Sequence, residues 1–212
     1  MKGLFITFEG LDGSGKTTQI KLLHDFLRGE GLDIIVTREP GGTEIGDRIR
    51  DILLSKKHAG MNYRTEALLF LASRAELVSK TIIPALEKGR VVICDRFFDS
   101  TVAYQGIARG LGEEQILNMS LWATEGLIPD ITFLLSVKVS MGDERIKIIN
   151  RKRDRIEVEK DLFKEKIYQG YLKIAQKNRD RFVILNGGDD IQIVFDKIKD
   201  KVLGVLKEKK LL

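Results

Sequence analysis

Residues 4–17 read Leu-Phe-Ile-Thr-Phe-Glu-Gly-Leu-Asp-Gly-Ser-Gly-Lys-Thr, an apolar run followed directly by a glycine-rich stretch. The run Leu4–Phe8 is almost continuously apolar, which is typical of a strand that is buried on both faces of a parallel sheet. Gly10–Thr17 matches the pattern G-x-x-x-x-G-K-S/T. Apolar residues then recur at helical spacing over Thr17–Arg28. Strand, loop and helix in this order predict a phosphate-binding loop.

The order of residues in this loop has a physical reason. Glycines allow the backbone to fold tightly around an anion, and the following helix aims its positive end at the same anion. Lys16 can then reach the β- and γ-phosphates, and the Thr17 hydroxyl can ligate Mg²⁺. The residues predicted to bind a nucleoside triphosphate here are Gly10, Leu11, Asp12, Gly13, Ser14, Gly15, Lys16, Thr17 and Thr18. The motif leaves open whether the phosphoryl group is transferred or only hydrolysed.

The rest of the chain alternates between apolar runs and amphipathic segments. The further predicted strands are Asp33–Thr37, Arg90–Cys94, Ile131–Val137 and Phe182–Leu185. The predicted helices are Thr17–Arg28, Thr43–Leu54, Glu66–Leu86, Glu113–Thr124, Met141–Asn150, Asp161–Asn178 and Asp190–Lys207, with Pro84 near a kink or the end of the third. This alternation predicts an α/β fold in which helices flank a five-stranded parallel sheet, in one domain over residues 1–212.

Composition narrows the class of protein. The 212 residues are 43% hydrophobic and carry a formal net charge of +5, which fits a globular protein that handles phosphates. Basic residues are spread along the chain, so the charge does not predict a nucleic-acid partner. The single cysteine, Cys94, excludes an intramolecular disulfide and fits a reducing compartment. With neither a long apolar run nor a signal peptide, we expect a cytoplasmic protein without a membrane partner.

Three segments carry functional residue types beyond the loop. Arg38 follows the second predicted strand, where it could grip a phosphate or form only an incidental surface ion pair. Phe70 and Arg74 lie four apart on a helix and could hold a planar base, or be a core ring beside a solvated guanidinium. Asp95 and Arg96 follow the third predicted strand, where the carboxylate could hold Mg²⁺ or simply form an ion pair at the end of the strand.

Arg151–Arg155 is a dense basic run between two predicted helices. It could be a solvated turn or a nucleic-acid patch. It could also be a lid that brings arginines to a transferring phosphoryl group and excludes water.

Taken together, these segments resemble bacterial thymidylate kinases over essentially the whole chain. The specific matches are Thr37–Thr43 (TREPGGT), Leu69–Arg74 (LFLASR), Asp95–Gly106 (DRFFDSTVAYQG) and Asp154–Glu157 (DRIE). The resemblance implies a P-loop kinase fold with a lid over about residues 142–158. It implies that ATP and Mg²⁺ convert dTMP to dTDP, and that the enzyme is a homodimer.

The resemblance also implies roles for individual residues. Those expected to bind dTMP are Arg38, Glu39, Arg50, Phe70, Arg74, Arg96, Thr101, Tyr104 and Gln105. Phe70 would stack on the base, Thr101 and Gln105 would bond to its edge, and Tyr104 would crowd the 2′ position of the sugar. The expected catalytic residues are Asp12, Lys16, Arg96 and Arg153, with Arg151 on ATP and Thr17 and Asp95 on the metal.

The composition of the phosphate-binding loop indicates which segment supplies arginines to the phosphates. The loop has no basic residue between Gly10 and Gly15, which in this family goes with arginines in the lid. Arg151, Arg153 and Arg155 are the candidates.

The sequence leaves alternatives open. A kinase for deoxynucleosides or for a broader set of monophosphates would share most of these features. A nucleic-acid-stimulated ATPase is a further alternative, based only on the basic run. A GTPase switch would need an N-K-x-D motif, which the sequence lacks.

Overall fold

A parallel β-sheet forms the centre of the computed structural model, which describes residues 2–148 and 154–212. Within these residues the strands are β1 (Leu4–Glu9), β2 (Ile34–Arg38), β3 (Val91–Asp95), β4 (Ile131–Ser136) and β5 (Phe182–Asn186). They lie side by side in the order β2-β3-β1-β4-β5, and every neighbouring pair is parallel. The predicted five-stranded parallel sheet is confirmed.

Helices cover both faces of this sheet. They are α1 (Lys16–Gly29), α2 (Glu44–Leu54), α3 (Tyr63–Leu77), α4 (Ile83–Glu87), α5 (Phe98–Thr101), α6 (Glu113–Ala123), α7 (Val139–Ile148), α8 (Asp161–Lys177) and α9 (Ile191–Glu208). A 3₁₀ turn spans Lys56–His58, and π-helical turns span Val78–Ile82 and Val102–Ala108. In the described part of the chain, no helix is long and apolar enough to cross a membrane.

The alternation of side chains along β1 explains why the sheet packs against a layer of helices on each face. Leu4, Ile6 and Phe8 pack into one core with α1 and α9. Phe5 points the other way, into a second core that includes the π-helical turn after α3. Glu9 ends the strand on the same side as Phe5, because successive side chains alternate between faces.

The sheet order places the functional loops together. β1 lies between β3 and β4, so the connections from the two halves of the sheet diverge beside it. Ligands of open α/β sheets bind in the crevice that this arrangement leaves at the carboxyl ends of the strands. The phosphate-binding loop follows β1 directly and therefore lies at that crevice.

The third helix differs from its predicted bounds of Glu66–Leu86. It begins at Tyr63, where the Asn62 side chain accepts a backbone N–H of the first turn. Its path continues through the π-helical turn Val78–Ile82 to the end of α4, in which Pro84 is the second residue. Proline removes a helical N–H and crowds the preceding turn, and a local change of helix type accommodates both effects.

A helical segment over residues 98–108, formed by α5 and the following π-helical turn, was missing from the prediction. The reason is that one side of this segment is polar although it is largely buried. Ser100, Thr101 and Gln105 face a cavity rather than solvent. Because buried polar residues interrupt the apolar periodicity, the sequence pattern does not indicate a helix there.

Candidate active site

A cavity of about 730 Å³ lies at the carboxyl edge of the sheet. It is lined by the phosphate-binding loop from Asp12 to Lys16, by the ends of β2 and β3, and by α3 and the helical segment 98–108. The sequence-predicted residues that line it are Asp12, Gly13, Ser14, Gly15, Lys16, Thr17, Thr18, Arg38, Glu39, Arg50, Phe70, Arg74, Asp95, Arg96, Thr101, Tyr104 and Gln105. Gly10 and Leu11 are buried and do not line the cavity.

The phosphate-binding loop has the backbone geometry that its glycines allow. Gly13 and Gly15 have φ of 77° and 98°, in the region that favours glycine. Lys16 is buried, and its Nζ donates to the carbonyl oxygens of Gly10 and Leu11 at 3.1 Å each. Burial lowers the pKa of Lys16, and the nearby Arg96 guanidinium lowers it further. The Lys16 side chain therefore folds back onto the backbone of the loop that precedes it.

Helix α7 packs directly against this loop. A Cβ at Gly13 would lie 2.4 Å from the carbonyl oxygen of Gly142, and a Cβ at Gly142 would lie 2.7 Å from that of Asp12. Both glycines are therefore required by the close approach of two backbones. Arg145 of the same helix donates to the carbonyl oxygens of Gly13 and Gly187, at 3.3 and 2.8 Å.

Arg96 connects the loop with the opposite side of the cavity. Its Nη2 donates to Asp12 Oδ1 at 3.0 Å, and its Nη1 donates to Tyr171 Oη at 3.0 Å and to Ser100 Oγ at 3.3 Å. The backbone of Arg96 has φ of 70°, which is uncommon for a residue with a side chain. Such conformations persist where the surroundings over-determine them, often at functional sites.

Glu9 supports Arg96 from behind. Its carboxylate is fully buried. It accepts hydrogen bonds from Ser100 Oγ at 2.6 Å and from Tyr171 Oη at 3.0 Å. These are the same two hydroxyls that accept hydrogen bonds from Arg96. The backbone N–H of Phe97 also donates to Glu9, at 2.8 Å. Burial raises the pKa of Glu9 to about 7, with a further contribution from nearby Asp99. The sequence prediction missed Glu9, although a carboxylate at the end of a buried strand was a visible signal.

A second buried arginine stands beside the acceptor side of the cavity. Arg74 is 1% exposed, pairs with Glu39 and donates from Nη2 to Thr101 Oγ1 at 2.8 Å. Burial raises the pKa of Glu39, an effect that Arg74 opposes. The alternative of a solvated Arg74 is therefore wrong. Its Nη1 is buried without a hydrogen-bond partner among the described residues, and Phe70 lies one helical turn away at the cavity wall.

Two further arginines lie at the rim. Arg38 Nη2 donates to Asp47 at 3.3 Å and remains more than half exposed. Arg50 Nη1 donates to the carbonyl oxygen of Pro40 at 2.8 Å. Burial lowers the pKa of Arg50, and the charge of Arg38 acts in the same direction. Two cations at the same rim of the cavity favour the binding of an anion.

Thr17 and Asp95, the residues expected to hold Mg²⁺, both present oxygen atoms at the cavity wall. Asp95 Oδ1 is buried and has no hydrogen-bond partner among the described residues, although the carboxylate lines the cavity. Thr17 lies exposed at the start of α1, also at the cavity wall. Mg²⁺ typically takes one or two protein oxygens and completes its shell with phosphate and water, so this donor set suits it.

Of the three candidate lid arginines, the structure describes Arg155. Arg151 and Arg153 lie outside the described residues. Arg155 does not line the cavity: its Nη1 pairs with Glu66 at 2.6 Å and its Nε donates to the carbonyl oxygen of Leu53 at 2.8 Å. Arg155, one of the three lid candidates, therefore does not reach the cavity in this structure, because a buried carboxylate on α3 holds its guanidinium.

A parallel sheet with a phosphate-binding loop after β1, facing an arginine-lined acceptor side, defines a P-loop phosphotransferase. Residues 8–198 match the family model described as thymidylate kinase. The chain belongs to the thymidylate kinase family, and the resemblance inferred from its sequence is confirmed.

Relatives and a solved structure agree over nearly the whole chain. The sequence is 48% identical to a thymidylate kinase of Thermosipho melanesiensis, over 92% of this chain and 96% of the relative. It is 45% identical to one of Geobacillus sp. strain WCH70, over 92% and 93%. A crystal structure of thymidylate kinase from Ehrlichia chaffeensis superposes with a TM-score of 0.76 at 33% identity, covering 94% of this chain and 98% of that one.

The raised pKa of Glu9 predicts a pH-dependent stability. A folded-state pKa of about 7 against an ordinary 4.5 means that the native state binds more protons than the unfolded state between these values. Stability therefore falls as the pH rises through this window, by about 3 kcal/mol in total. Glu9→Gln should lose this dependence. Urea denaturation of both proteins from pH 4.5 to 7.5 measures it.

The exposed Glu87 provides a matched control. Glu87→Gln should follow the wild-type curve throughout. A constant difference between wild type and Glu9→Gln over the whole pH range would show that Glu9 titrates as an ordinary carboxylate.

Proposed function

We propose that this chain transfers the γ-phosphoryl group of ATP to dTMP and releases ADP and dTDP. The observation that carries the proposal is the position of Arg96 in a single cavity. Its guanidinium bonds to Asp12 of the phosphate-binding loop and lies in the same space as Phe70 and Arg74 of the acceptor side. A donor and an acceptor phosphate bound in this cavity would therefore both lie near Arg96.

The transfer is a direct in-line displacement. An anionic oxygen of the dTMP phosphate forms the new bond to the γ-phosphorus, and the bond from that phosphorus to the bridging β–γ oxygen breaks, leaving ADP. No protein nucleophile is needed, so the protein contributes positioning and stabilisation of charge. Lys16 and Arg96 neutralise the transferring group, and Asp12 holds Arg96 in place. Mg²⁺, held by Thr17 and Asp95, would add positive charge at the phosphate oxygens.

The acceptor residues divide between phosphate and base. Arg38 and Arg50 hold the dTMP phosphate together with Arg96, because guanidinium groups bind phosphate with two parallel hydrogen bonds. Phe70 stacks on the thymine ring. Following the family, we assign Tyr104 to the 2′ position of the sugar; its ring lines the cavity and lies 5.5 Å from the Arg96 guanidinium.

Arg74 and the residues that it touches hold the base edge. Arg74 lines the cavity and its Nη1 is a buried donor without a hydrogen-bond partner among the described residues. Glu39 fixes its guanidinium, and Thr101 and Gln105 bond to the base. These assignments follow the family, and the geometry of the cavity wall supports them.

The lid supplies the remaining charge. The loop has no basic residue between Gly10 and Gly15, so we assign stabilisation of the transition state to Arg153 and contact with ATP to Arg151. We regard residues 1–212 as one domain in which about 142–158 form this lid. Cytoplasmic ATP and dTMP are the substrates, and a lone buried thiol at Cys94 fits that reducing compartment.

We further assign a homodimer. Helices α2 and α3 pack against each other, and both present exposed apolar side chains: Ile45 and Ile52 on α2, and Leu68 on α3. Trp122 on the adjoining α6 is 84% exposed. These four residues, the α2–α3–α6 face, suit a self-complementary interface with a second copy, because apolar and aromatic groups dominate such contacts.

Replacing Lys16 by Ala should lower kcat with ATP and dTMP by about 100-fold or more, since it removes a charge at the transferring phosphoryl group. A coupled assay of ADP release measures this, with dTMP, dUMP, dCMP, dGMP and thymidine as acceptors. The exposed Lys21 lies on the same helix, and Lys21→Ala should retain wild-type turnover. Near-normal turnover of Lys16→Ala would contradict the mechanism, and a flat response to the five acceptors would contradict the substrate.

Leu68→Glu should convert the protein from a dimer to a monomer, because it buries a charge in the α2–α3–α6 face. Sedimentation equilibrium measures the mass of each variant. Leu162 is 70% exposed on α8, outside this face, and Leu162→Glu should remain dimeric. A wild-type protein that is monomeric, or a Leu68→Glu variant that stays dimeric, would refute the assignment.

A further inference from the structure

We propose that Glu66 is a positioning residue that makes the cavity select bases with an N–H group at their pairing edge. The bases selected in this way are pyrimidines that carry a hydrogen on the ring nitrogen N3. Glu66 acts by fixing the side-chain amide of Gln105. The proposal rests on the proposed function, in which Gln105 meets the acceptor base. It explains how one buried carboxylate that never touches substrate would exclude cytosine, whose N3 carries no hydrogen.

Glu66 stands directly behind the cavity wall. Its side chain on α3 is fully buried and does not line the cavity, whereas Gln105 does. Gln105 Nε2 donates to Glu66 Oε1 at 2.9 Å, across 39 residues of sequence. The two side chains therefore meet only because the helical segment 98–108 packs beside α3.

This contact determines which end of the Gln105 amide faces the ligand. An ionised carboxylate accepts hydrogen bonds and donates none, so it can pair only with the amide nitrogen. The carbonyl oxygen Oε1 then remains for the cavity, and none of the described residues donates to it. A carbonyl oxygen at this position accepts from N3–H of thymine or uracil. It repels the unprotonated N3 of cytosine, which is itself an acceptor.

Two arginines prevent the carboxylate from turning away. Arg109 Nε lies 3.3 Å from Glu66 Oε1, and Arg155 Nη1 lies 2.6 Å from Oε2. The Arg109 guanidinium is itself stacked between the rings of Tyr63 and Phe163, at 4.5 and 4.1 Å. Each carboxylate oxygen thus has a cation beside it, and the amide of Gln105 can meet only an acceptor.

The Arg155 contact also links base selection to the lid segment. Arg155 is fastened to α2 through its own backbone N–H, which donates to the carbonyl oxygen of Leu54 at 3.1 Å. A residue of the lid segment therefore completes the support behind the base. This arrangement gives Arg155 a positioning role behind the base, whereas Arg151 and Arg153 remain the candidates for the phosphates.

A substitution at Glu66 has a defined expected effect. In Glu66→Gln the single side-chain oxygen pairs with an arginine, and the new amide nitrogen faces Gln105. Gln105 must then turn its oxygen toward residue 66 and present its own N–H groups to the base. The ratio of kcat/KM for dTMP over dCMP should fall by roughly 10- to 100-fold. The ratio for dTMP over dUMP should not change, because both bases carry N3–H.

The experiment measures kcat/KM for these three monophosphates at saturating ATP. The double variant Glu66→Gln/Gln105→Glu exchanges the two side chains. The new amide at position 66 donates a hydrogen bond to the new carboxylate at position 105. The second oxygen of that carboxylate accepts a hydrogen bond from N3–H of the base. This variant should restore the preference for dTMP over dCMP. Glu159→Gln provides the matched control, since Glu159 pairs with Arg109 Nη2 at 2.7 Å but does not contact Gln105. It should keep the wild-type ratio.

If Glu66→Gln does not fold, Gln105→Met tests the same point, because it keeps Glu66 and both arginines. It should also lower the ratio for dTMP over dCMP. Equal losses on dTMP, dUMP and dCMP in these variants would overturn the proposal and leave Glu66 with a structural role only. A wild-type enzyme that phosphorylates dTMP and dCMP equally well would overturn it too. A wild-type protein inactive on every monophosphate would instead refute the proposed function itself.

Discussion

The ion pair between Arg96 Nη2 and Asp12 Oδ1, 3.0 Å long, is the contact on which the arrangement of the cavity depends. It ties the end of β3 to the phosphate-binding loop after β1, two neighbouring strands of the sheet. Behind it, the hydroxyls of Ser100 and Tyr171 accept from Arg96 and donate to Glu9. The guanidinium is thus held from two sides, and little reorganisation is needed when charge develops on a transferring phosphoryl group.

The same construction recurs elsewhere in the protein. Carboxylates hold guanidinium groups at or behind the cavity wall in pairs that include Arg96–Asp12, Arg74–Glu39 and Arg155–Glu66. Pairs taken out of water in this way gain little net stability, because the desolvation of two charges offsets much of their attraction. Their value lies in orientation. Each pair fixes where the remaining N–H groups, or the neighbouring amide of Gln105, point within the cavity.

The sequence predicted the fold well because each strand is a short apolar run next to a turn. All five strands were expected within a residue or two of their bounds, and the glycine pattern identified the phosphate-binding loop. The segment 98–108 was missed, since its buried face is polar. Arg145 was missed too, because its bonds to the carbonyl oxygens of Gly13 and Gly187 leave no local pattern. The pairing of Arg155 with Glu66 was missed, because a basic run does not reveal which carboxylate each arginine meets.

The turnover of Arg96→Met at saturating ATP and dTMP tests the central claim most directly. If Arg96 stabilises the transferring group between donor and acceptor, kcat should fall by about 100-fold or more while the circular dichroism spectrum stays that of the wild type. A folded Arg96→Met variant whose kcat remains close to that of the wild-type enzyme would contradict the account.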